Sequence, residues 1–202
     1  MNILYLHRTR GEDAQGIHIR ALCKAFAELG HAVRVVGPPR LKHRRARRAD
    51  PGHQAAGPRL LGIRVPSWAY ELMALAYNVP AFLGFAARML WRRPDLVYER
   101  YALFGVAGRL AAGLFRVPFV LEVNAPLSLE MSREQPLALH GTAQRLEDWL
   151  CASATRTIVV SGAMARIIEA RGVPAERLWV MPNGVDRDHF RADLDGAPLR
   201  RD

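Results

Sequence analysis

Cysteine is scarce in this sequence, and its scarcity excludes a fold held together by disulfides. Only Cys23 and Cys151 occur among the 202 residues. A small secreted scaffold would carry several cysteine pairs, whereas two isolated cysteines are typical of a protein from a reducing compartment. Half of the residues are apolar, which suffices for the core of one globular domain. We therefore predict that both cysteines are packing residues.

The sequence also lacks a long apolar segment at its N-terminus. The apolar run Asn2–Leu6 is too short for the hydrophobic region of a signal peptide, and it predicts a first strand. The later stretch 72–91 is long enough to span a bilayer. Because it contains Asn78, Pro80 and Arg88, we predict a buried or interfacial helical region, kinked or split at Pro80.

Negative charge is in short supply, and the net charge is +10. Six Lys and Arg side chains lie within residues 40–48, and such a run attracts anions. One interpretation is a solvated loop surrounded by counterions, and another is contact with an anionic membrane surface. Nucleic acid is the third, but no aromatic residue is interleaved with the run, so nucleic acid is not among the predicted partners.

Strand-like and helix-like segments alternate along the chain. Apolar positions follow helical spacing from Ile17 until Gly30 ends the helix, and Ser161 is a suitable N-cap for a helix that Gly172 ends. Strands separated mostly by helices predict an α/β fold with a doubly wound, mostly parallel, seven-stranded Rossmann-like sheet. The predicted strands are residues 2–6, 32–36, 60–65, 95–99, 118–123, 155–160 and 178–181.

Ligands of such folds bind beyond the carboxyl ends of the strands, which directs attention to the loops there. In the first of these loops, residues 7–18, glycines precede a helix, and backbone N–H groups there could bind a phosphate. For Gly16 an ordinary turn is the alternative. The loop lacks the G-x-G-x-x-G spacing and no acidic residue ends the second strand, so a nicotinamide dinucleotide site is disfavoured.

Polar residues end the fourth and fifth predicted strands. Arg100 and Tyr101 follow one strand, while Glu122 and Asn124 lie at the end of the next. Strand formation does not require Glu and Asn at the end of a strand. Together these residues therefore predict the wall of a binding site. A structural ion pair between Glu122 and Arg100 is the alternative.

Five short motifs occur in a characteristic order. They are Gly-Ile-His-Ile (16–19), Gly-His-Ala-Val (30–33), Arg-Pro-Asp-Leu-Val (93–97), Ile-Val-Val-Ser (158–161) and Pro-Asn-Gly-Val-Asp (182–186). The series resembles the N-terminal domain of family-four glycosyltransferases with the GT-B fold, from residue 2 to about residue 190. The last motif is the most diagnostic, and an Asn-Gly surface turn is its alternative interpretation.

The resemblance implies a retaining, hexosyl-type, metal-independent transferase without a cofactor, in which two Rossmann-like domains close over a nucleotide diphosphate sugar. This half would hold the acceptor, either lipid-linked or a glycan precursor of a cell-surface polysaccharide. Its first loop would approach the donor through Gly16 and less directly through Gly11. Many relatives have a histidine where this chain has Asn124, so we expect Asn124 to orient the donor sugar rather than act as a cation.

The remaining expectations concern the cleft and the domain boundaries. We expect residues 1–181 to form the acceptor-side domain, and residues 182–202 to be a linker and the start of a missing donor-binding domain. We expect a cytoplasmic protein, peripheral on the inner face of the membrane if the basic run contacts lipid, and an inactive isolated chain. The residues assigned to the cleft are His18, Arg100, Tyr101, Glu122 and Ser161, those assigned to the interdomain segment are Asn183, Gly184 and Asp186, and none is assigned to catalysis or metal.

Three alternative functions stay open at the level of the sequence. The chain could be a non-catalytic binding domain, or one subunit of a split transferase. It could also belong to another GT-B enzyme, such as a nucleotide-sugar epimerase. Product analysis separates the last of these from a transferase, because an epimerase returns an isomerised donor rather than a glycosylated acceptor.

Overall fold

A computed structural model describes residues 1–9, 14–38, 59–60, 63–64, 66–134 and 137–184. Its strands are β1 (Asn2–Leu6), β2 (Ala32–Val36), β3 (Arg59–Leu60), β4 (Ile63–Arg64), β5 (Leu96–Arg100), β6 (Phe119–Val123), β7 (Arg156–Val159) and β8 (Leu178–Val180). Its helices are α1 (Ala14–Glu28), α2 (Ser67–Ala76), α3 (Asn78–Trp91), α4 (Ala107–Leu114), α5 (Leu127–Glu134), α6 (His140–Ser153) and α7 (Gly162–Glu169), with a short 3-10 helix at Ala175–Arg177.

Six strands form one parallel sheet in the order β2-β1-β5-β6-β7-β8. Helices cover both faces of the sheet, so the predicted doubly wound α/β fold is confirmed. The chain runs from β1 outward to β2 on one side, then returns to place β5 on the other side of β1. The strand order therefore reverses between β1 and β5, and the connections that leave these two strands diverge.

The predicted strand at residues 60–65 is not part of this sheet. The described residues there form a separate antiparallel pair, in which Leu60 is opposite Ile63 and Arg59 is opposite Arg64. In the described part of the chain the main sheet has six strands, so the predicted number of seven was wrong.

The two faces of the sheet have separate cores, because successive side chains of a strand point to opposite sides. Ile19 of α1 packs with Ile3, Tyr5, Tyr98 and Ile158 on one face. On the other face, α3, α4, α6 and α7 contribute to a larger core that includes Leu4, Leu121, Met89, Leu150 and Ile168. Both cysteines are free; Cys151 is fully buried in the larger core and Cys23 is partly buried against the smaller one.

The apolar segment that the sequence marks at residues 72–91 is helical, and it is divided into α2 and α3 at Tyr77. Pro80 lies in the first turn of α3, where its missing N–H removes no helical hydrogen bond. By length and composition alone, Ser67–Trp91 is the one helical stretch of the described residues that could cross a membrane, and 17% of its most apolar part is buried.

Candidate functional site

A buried carboxylate, that of Glu122, organises the carboxyl edge of the sheet. Its Oε1 lies 2.6 Å from Arg100 Nη1, 2.5 Å from Asn124 Nδ2 and 3.2 Å from His18 Nε2. Its Oε2 accepts a hydrogen bond of 2.9 Å from the Tyr98 hydroxyl. The structure thus brings together His18, Arg100, Glu122 and Asn124, which the sequence predicts as site residues from three separate segments.

Strand register explains how the cluster forms. Arg100 of β5 and Glu122 of β6 are directly opposed, and side-chain alternation places both on the face that α1 covers. Ile19 anchors α1 in the core of that face, which brings the neighbouring His18 within reach of the carboxylate. Asn124 follows β6 immediately, so its amide reaches back to the same oxygen.

The cluster satisfies a charge that burial would otherwise penalise. Glu122 is 3% exposed, and its ion pair with Arg100 offsets the desolvation of both groups. Removing one partner of such a pair leaves an uncompensated buried charge, at a cost of about 3–5 kcal/mol. The structural ion pair expected as an alternative is thus present, and it coexists with the polar groups at the cleft.

Two buried tyrosines lie next to the Glu122 carboxylate. Tyr5 and Tyr98 stack with their ring centroids 5.1 Å apart. Burial, followed by the negative charge of Glu122, raises the pKa of both phenols. Both hydroxyls therefore stay protonated, and that of Tyr98 is a permanent donor to Glu122.

The members of the cluster differ in how far a ligand can reach them. Arg100 and Glu122 are buried, whereas the His18 side chain is 28% exposed and Asn124 is half-buried. Because a carboxylate only accepts hydrogen bonds, the Nε2 of His18 donates in this contact, and the carboxylate fixes the orientation of the ring. His18 and Asn124 are therefore the members that can contact a ligand in the cleft.

Tyr101 and Ser161 lie outside this cluster. Tyr101 donates its backbone N–H to the Glu122 carbonyl, but its side chain is buried in the core of the opposite face. Burial, and then the charge of Glu147, raises the pKa of its hydroxyl. Ser161 is exposed at the end of β7 and caps α7 by accepting a 3.2 Å hydrogen bond from Met164 N, in agreement with the predicted N-cap.

The remaining predicted positions are only partly described. Gly16 is buried in the first turn of α1, on the side of the cleft. Asn183 and Gly184 are exposed after the last strand. Gly11, Asp186 and the basic run 40–48 lie outside the described residues.

A second polar centre, which the sequence analysis missed, joins the loop after β1 to α3. Arg8 Nη2 donates to Asn78 Oδ1 over 2.7 Å, and its guanidinium lies 5.1 Å from the ring centroid of Tyr77. Asn78 Oδ1 also accepts from the N–H groups of residues 106 and 107, at the start of α4. The signal in the sequence is an asparagine inside an apolar segment, which by pattern alone indicates only an interruption of a membrane span.

Asn78 also holds a strained backbone. Phe104 has a φ of 62°, a value unfavourable for a bulky side chain, at a cost of about 1–3 kcal/mol. Its carbonyl accepts a 2.7 Å hydrogen bond from Asn78 Nδ2. This contact stabilises the turn that follows β5, next to the cleft.

Glu99 is a buried carboxyl group without a hydrogen-bond partner for its Oε2 among the described residues. Burial raises its pKa to about 8, against a smaller opposing effect of Arg8. It lies beneath the start of α4, where a Cβ added to Gly108 would fall 2.0 Å from Glu99 Oε2. Glycine at position 108 is therefore required for this close approach, and the raised pKa of Glu99 favours its protonated form at pH 7.

An open pocket of about 600 Å³ adjoins these groups at the point where the strand order reverses. Arg8 contributes one wall, and the turn after β5 contributes another through Leu103 and Phe104. The third wall is the inner side of α2, with Tyr70 and Tyr77. Clefts at this position bind ligands in open α/β sheets.

Comparison with solved structures shows the same fold in sugar-nucleotide enzymes. The S. aureus MnaA–UDP structure matches with a TM-score of 0.58 and 16% identity, over 95% of this chain and 48% of that one. UDP-GlcNAc 2-epimerase from Methanocaldococcus jannaschii matches with a TM-score of 0.56 and 14% identity, over 91% of this chain and 46% of that one. The complex of Anabaena HepE with UDP and glucose matches with a TM-score of 0.51 and 16% identity, over 100% of this chain and 49% of that one.

This chain spans about half the length of the solved structures that it matches. At these identities the likeness establishes the fold alone. No curated protein matches the chain significantly. The family model for Glycosyltransferase Family 4, however, matches residues 15–189, which include the Glu122 cluster and all five motifs that carry the resemblance. The chain therefore belongs to glycosyltransferase family 4.

Proposed function

We propose that this chain is the acceptor-side half of a retaining glycosyltransferase that transfers a sugar from a nucleotide diphosphate sugar to an acceptor. The observation that best supports the proposal is the convergence of His18 and Asn124 on the buried Glu122 carboxylate, at the carboxyl edge of the sheet. Membership of glycosyltransferase family 4 supports the proposed reaction class. No metal or cofactor is part of the proposal.

In the proposed mechanism this half orients its substrates. Arg100 and Glu122 form a rigid base, and His18 and Asn124 present fixed hydrogen-bonding groups toward sugar hydroxyls in the cleft. The start of α1, near Gly16, faces the donor diphosphate, where backbone N–H groups and the helix dipole favour negative charge. A second domain would supply the remaining groups that stabilise the departing nucleotide diphosphate.

The reaction class is tested by product analysis with the natural protein that contains these residues. The protein is incubated with nucleotide sugars labelled in the sugar, together with lipid and oligosaccharide extracts as acceptors. The proposal predicts release of the nucleoside diphosphate and label in an acceptor, with the anomeric configuration of the donor retained. Label that stays on an unchanged donor in every combination would contradict it.

A nucleotide-sugar epimerase is the second candidate, because UDP-GlcNAc 2-epimerases share this fold. The same assay separates the two functions. An epimerase yields a nucleotide sugar of altered configuration without an acceptor, whereas a transferase requires the acceptor. Activity that appears only after a separate polypeptide is added would favour the split-transferase alternative.

We further propose that the protein is cytoplasmic and seats α2 and α3 on an anionic membrane surface. Large apolar side chains of these helices face solvent, and cationic residues follow them at the end of α3. Such a combination favours binding to the interface of an anionic bilayer. The exposed apolar residues are Trp68, Leu72, Val79, Leu83, Leu90 and Trp91, and the cations are Arg88, Arg92 and Arg93.

A further inference from the structure

The pocket between the turn after β5 and α2 is separate from the Glu122 cluster, and the role proposed for that cluster does not account for it. None of the residues around Glu122 lines it. Its walls are predominantly apolar and include Met73, Leu103, Phe104 and Tyr77. Its volume of about 600 Å³ falls within the range of about 300–1,000 Å³ that is typical of small-molecule sites. The pocket is thus suited to an apolar group of substantial size.

One cationic side chain lies in the wall of this apolar pocket. Arg8 lines the pocket, and its guanidinium is held in place by Asn78 and by the ring of Tyr77. Among the described residues, no carboxylate lies within ion-pair distance of Arg8. Glu99 acts on Arg8 through its charge, but burial raises the pKa of that carboxyl group to about 8 and so favours its protonated form at neutral pH. Within the part of the chain that the structure describes, Arg8 thus forms no ion pair, and its guanidinium can bind an anion.

The other charged residue of the pocket wall is already engaged. Glu71 is buried, and its two oxygens accept hydrogen bonds of 3.0 and 2.7 Å from the backbone N–H groups of Ala138 and Leu139, just before α6. These amides and the helix dipole stabilise its charge. Glu71 therefore acts as a structural cap, and Arg8 is the group that determines which charge the pocket accepts.

We propose that this pocket binds the alkyl or prenyl chain of an amphipathic phosphate ester, and that Arg8 binds the phosphate. The proposal rests on the proposed transfer function, because it names the class of acceptor: a lipid phosphate or a sugar carried on one. The pocket also adjoins α2, the helix whose outer side faces the proposed membrane surface. A lipid bound in the pocket would thus lie next to the proposed membrane surface.

The test is calorimetric titration of the chain with dodecyl phosphate below its micellar concentration. Each buried methylene tightens binding about fourfold, so dodecyl phosphate should bind at least tenfold more tightly than butyl phosphate. Ala74→Phe fills the pocket from α2 and should weaken binding at least tenfold. Ala76→Phe is the matched control, since Ala76 is exposed on the same helix and does not line the pocket.

Arg8→Gln tests the phosphate contact. It should weaken the binding of dodecyl phosphate at least fivefold and leave that of dodecanol within twofold. If Ala74→Phe fails to fold, as judged by circular dichroism, Leu103→Trp fills the pocket from the loop instead. Equal binding by the wild type and the filled variants would overturn the proposal, and so would equal binding of butyl and dodecyl phosphate.

These binding results are independent of catalysis. A pocket that binds dodecyl phosphate as predicted, in a protein that transfers no sugar, would refute the proposed function alone. Transfer to a water-soluble acceptor, together with no binding of dodecyl phosphate, would refute only the assignment of the pocket.

Discussion

At the scale of single residues, three buried carboxyl groups are accommodated in three different ways. Glu122 pairs with Arg100 and accepts hydrogen bonds from further donors. Glu71 accepts two backbone amides before α6. Among the residues that the structure describes, none forms such a contact with Glu99 Oε2, and burial raises the pKa of this carboxyl group. The same residue type thus serves as an ionic centre, a helix cap and a neutral group beside Arg8.

Glu99 should make the stability of the domain depend on pH. Its pKa is about 8 in the folded state and about 4.5 without the effects of burial, so the folded state binds the extra proton between these values. Wild-type stability attributable to this group therefore falls as pH rises from 4.5 to 8. Glu99→Gln, which is neutral throughout, should gain at least about 1 kcal/mol relative to the wild type between pH 5 and pH 8.

Urea unfolding at the two pH values measures this difference. Glu169→Gln, at an exposed position of α7, controls for the loss of one carboxylate from the chain. An equal effect of Glu99→Gln at pH 5 and pH 8 would show that Glu99 titrates normally in the folded protein.

The polar site was predictable from the sequence where its members end strands or, like His18, belong to one of the motifs that carry the family resemblance. Glu122, Asn124 and Arg100 lie at strand ends, and a parallel sheet brings such positions to one edge. The pairing of Arg8 with Asn78 joins residues 70 positions apart, and no periodic pattern connects them. Tyr101 also follows a strand, but side-chain alternation directs it into the opposite core.

At the scale of secondary-structure elements, hydrophobic periodicity predicted where along the chain the parallel strands and most helices lie. It failed where a segment was short or polar. Residues 59–60 and 63–64 pair with each other and do not join the main sheet. Helix α5 was missed because only a few apolar positions, such as Leu127 and Met131, mark its helical face. Tertiary contacts, rather than local pattern, determine such segments.

The exposed apolar ends of α2 and α3 lead to a prediction about membranes. Leu90 and Trp91 are 80% and 91% exposed, and burial of such side chains in a bilayer interface contributes about 1.5–3 kcal/mol each. The double substitution Leu90→Ser and Trp91→Ser should therefore reduce binding to anionic vesicles about tenfold or more. Vesicle flotation measures this binding.

Leu29→Ser is the control for that experiment, because Leu29 is an exposed leucine after α1, a helix on the opposite face of the sheet. It should leave flotation unchanged. Equal flotation of the wild type with neutral and anionic vesicles would exclude an electrostatic contribution from Arg88, Arg92 and Arg93. Unchanged flotation of the double variant would exclude α3 as the contact.

At the scale of the whole molecule, two features share the carboxyl edge of one sheet. The Glu122 cluster lies beside α1, and the pocket lies between the turn after β5 and α2. Both border the strand-order reversal between β1 and β5. In the proposed enzyme, the first orients the sugar and the second retains the acceptor, so substitutions in each should affect different kinetic parameters.

The most direct test of the central claim is kcat/KM for sugar transfer by the natural protein carrying single substitutions in the cluster. His18→Ala and Asn124→Ala should each lower kcat/KM about 10- to 100-fold by removing an orienting contact. Lys24→Ala, at an exposed position of α1, is the control and should stay within twofold of the wild type. Values within twofold for all three variants, with unchanged melting temperatures, would contradict the assignment of the cluster to substrate binding.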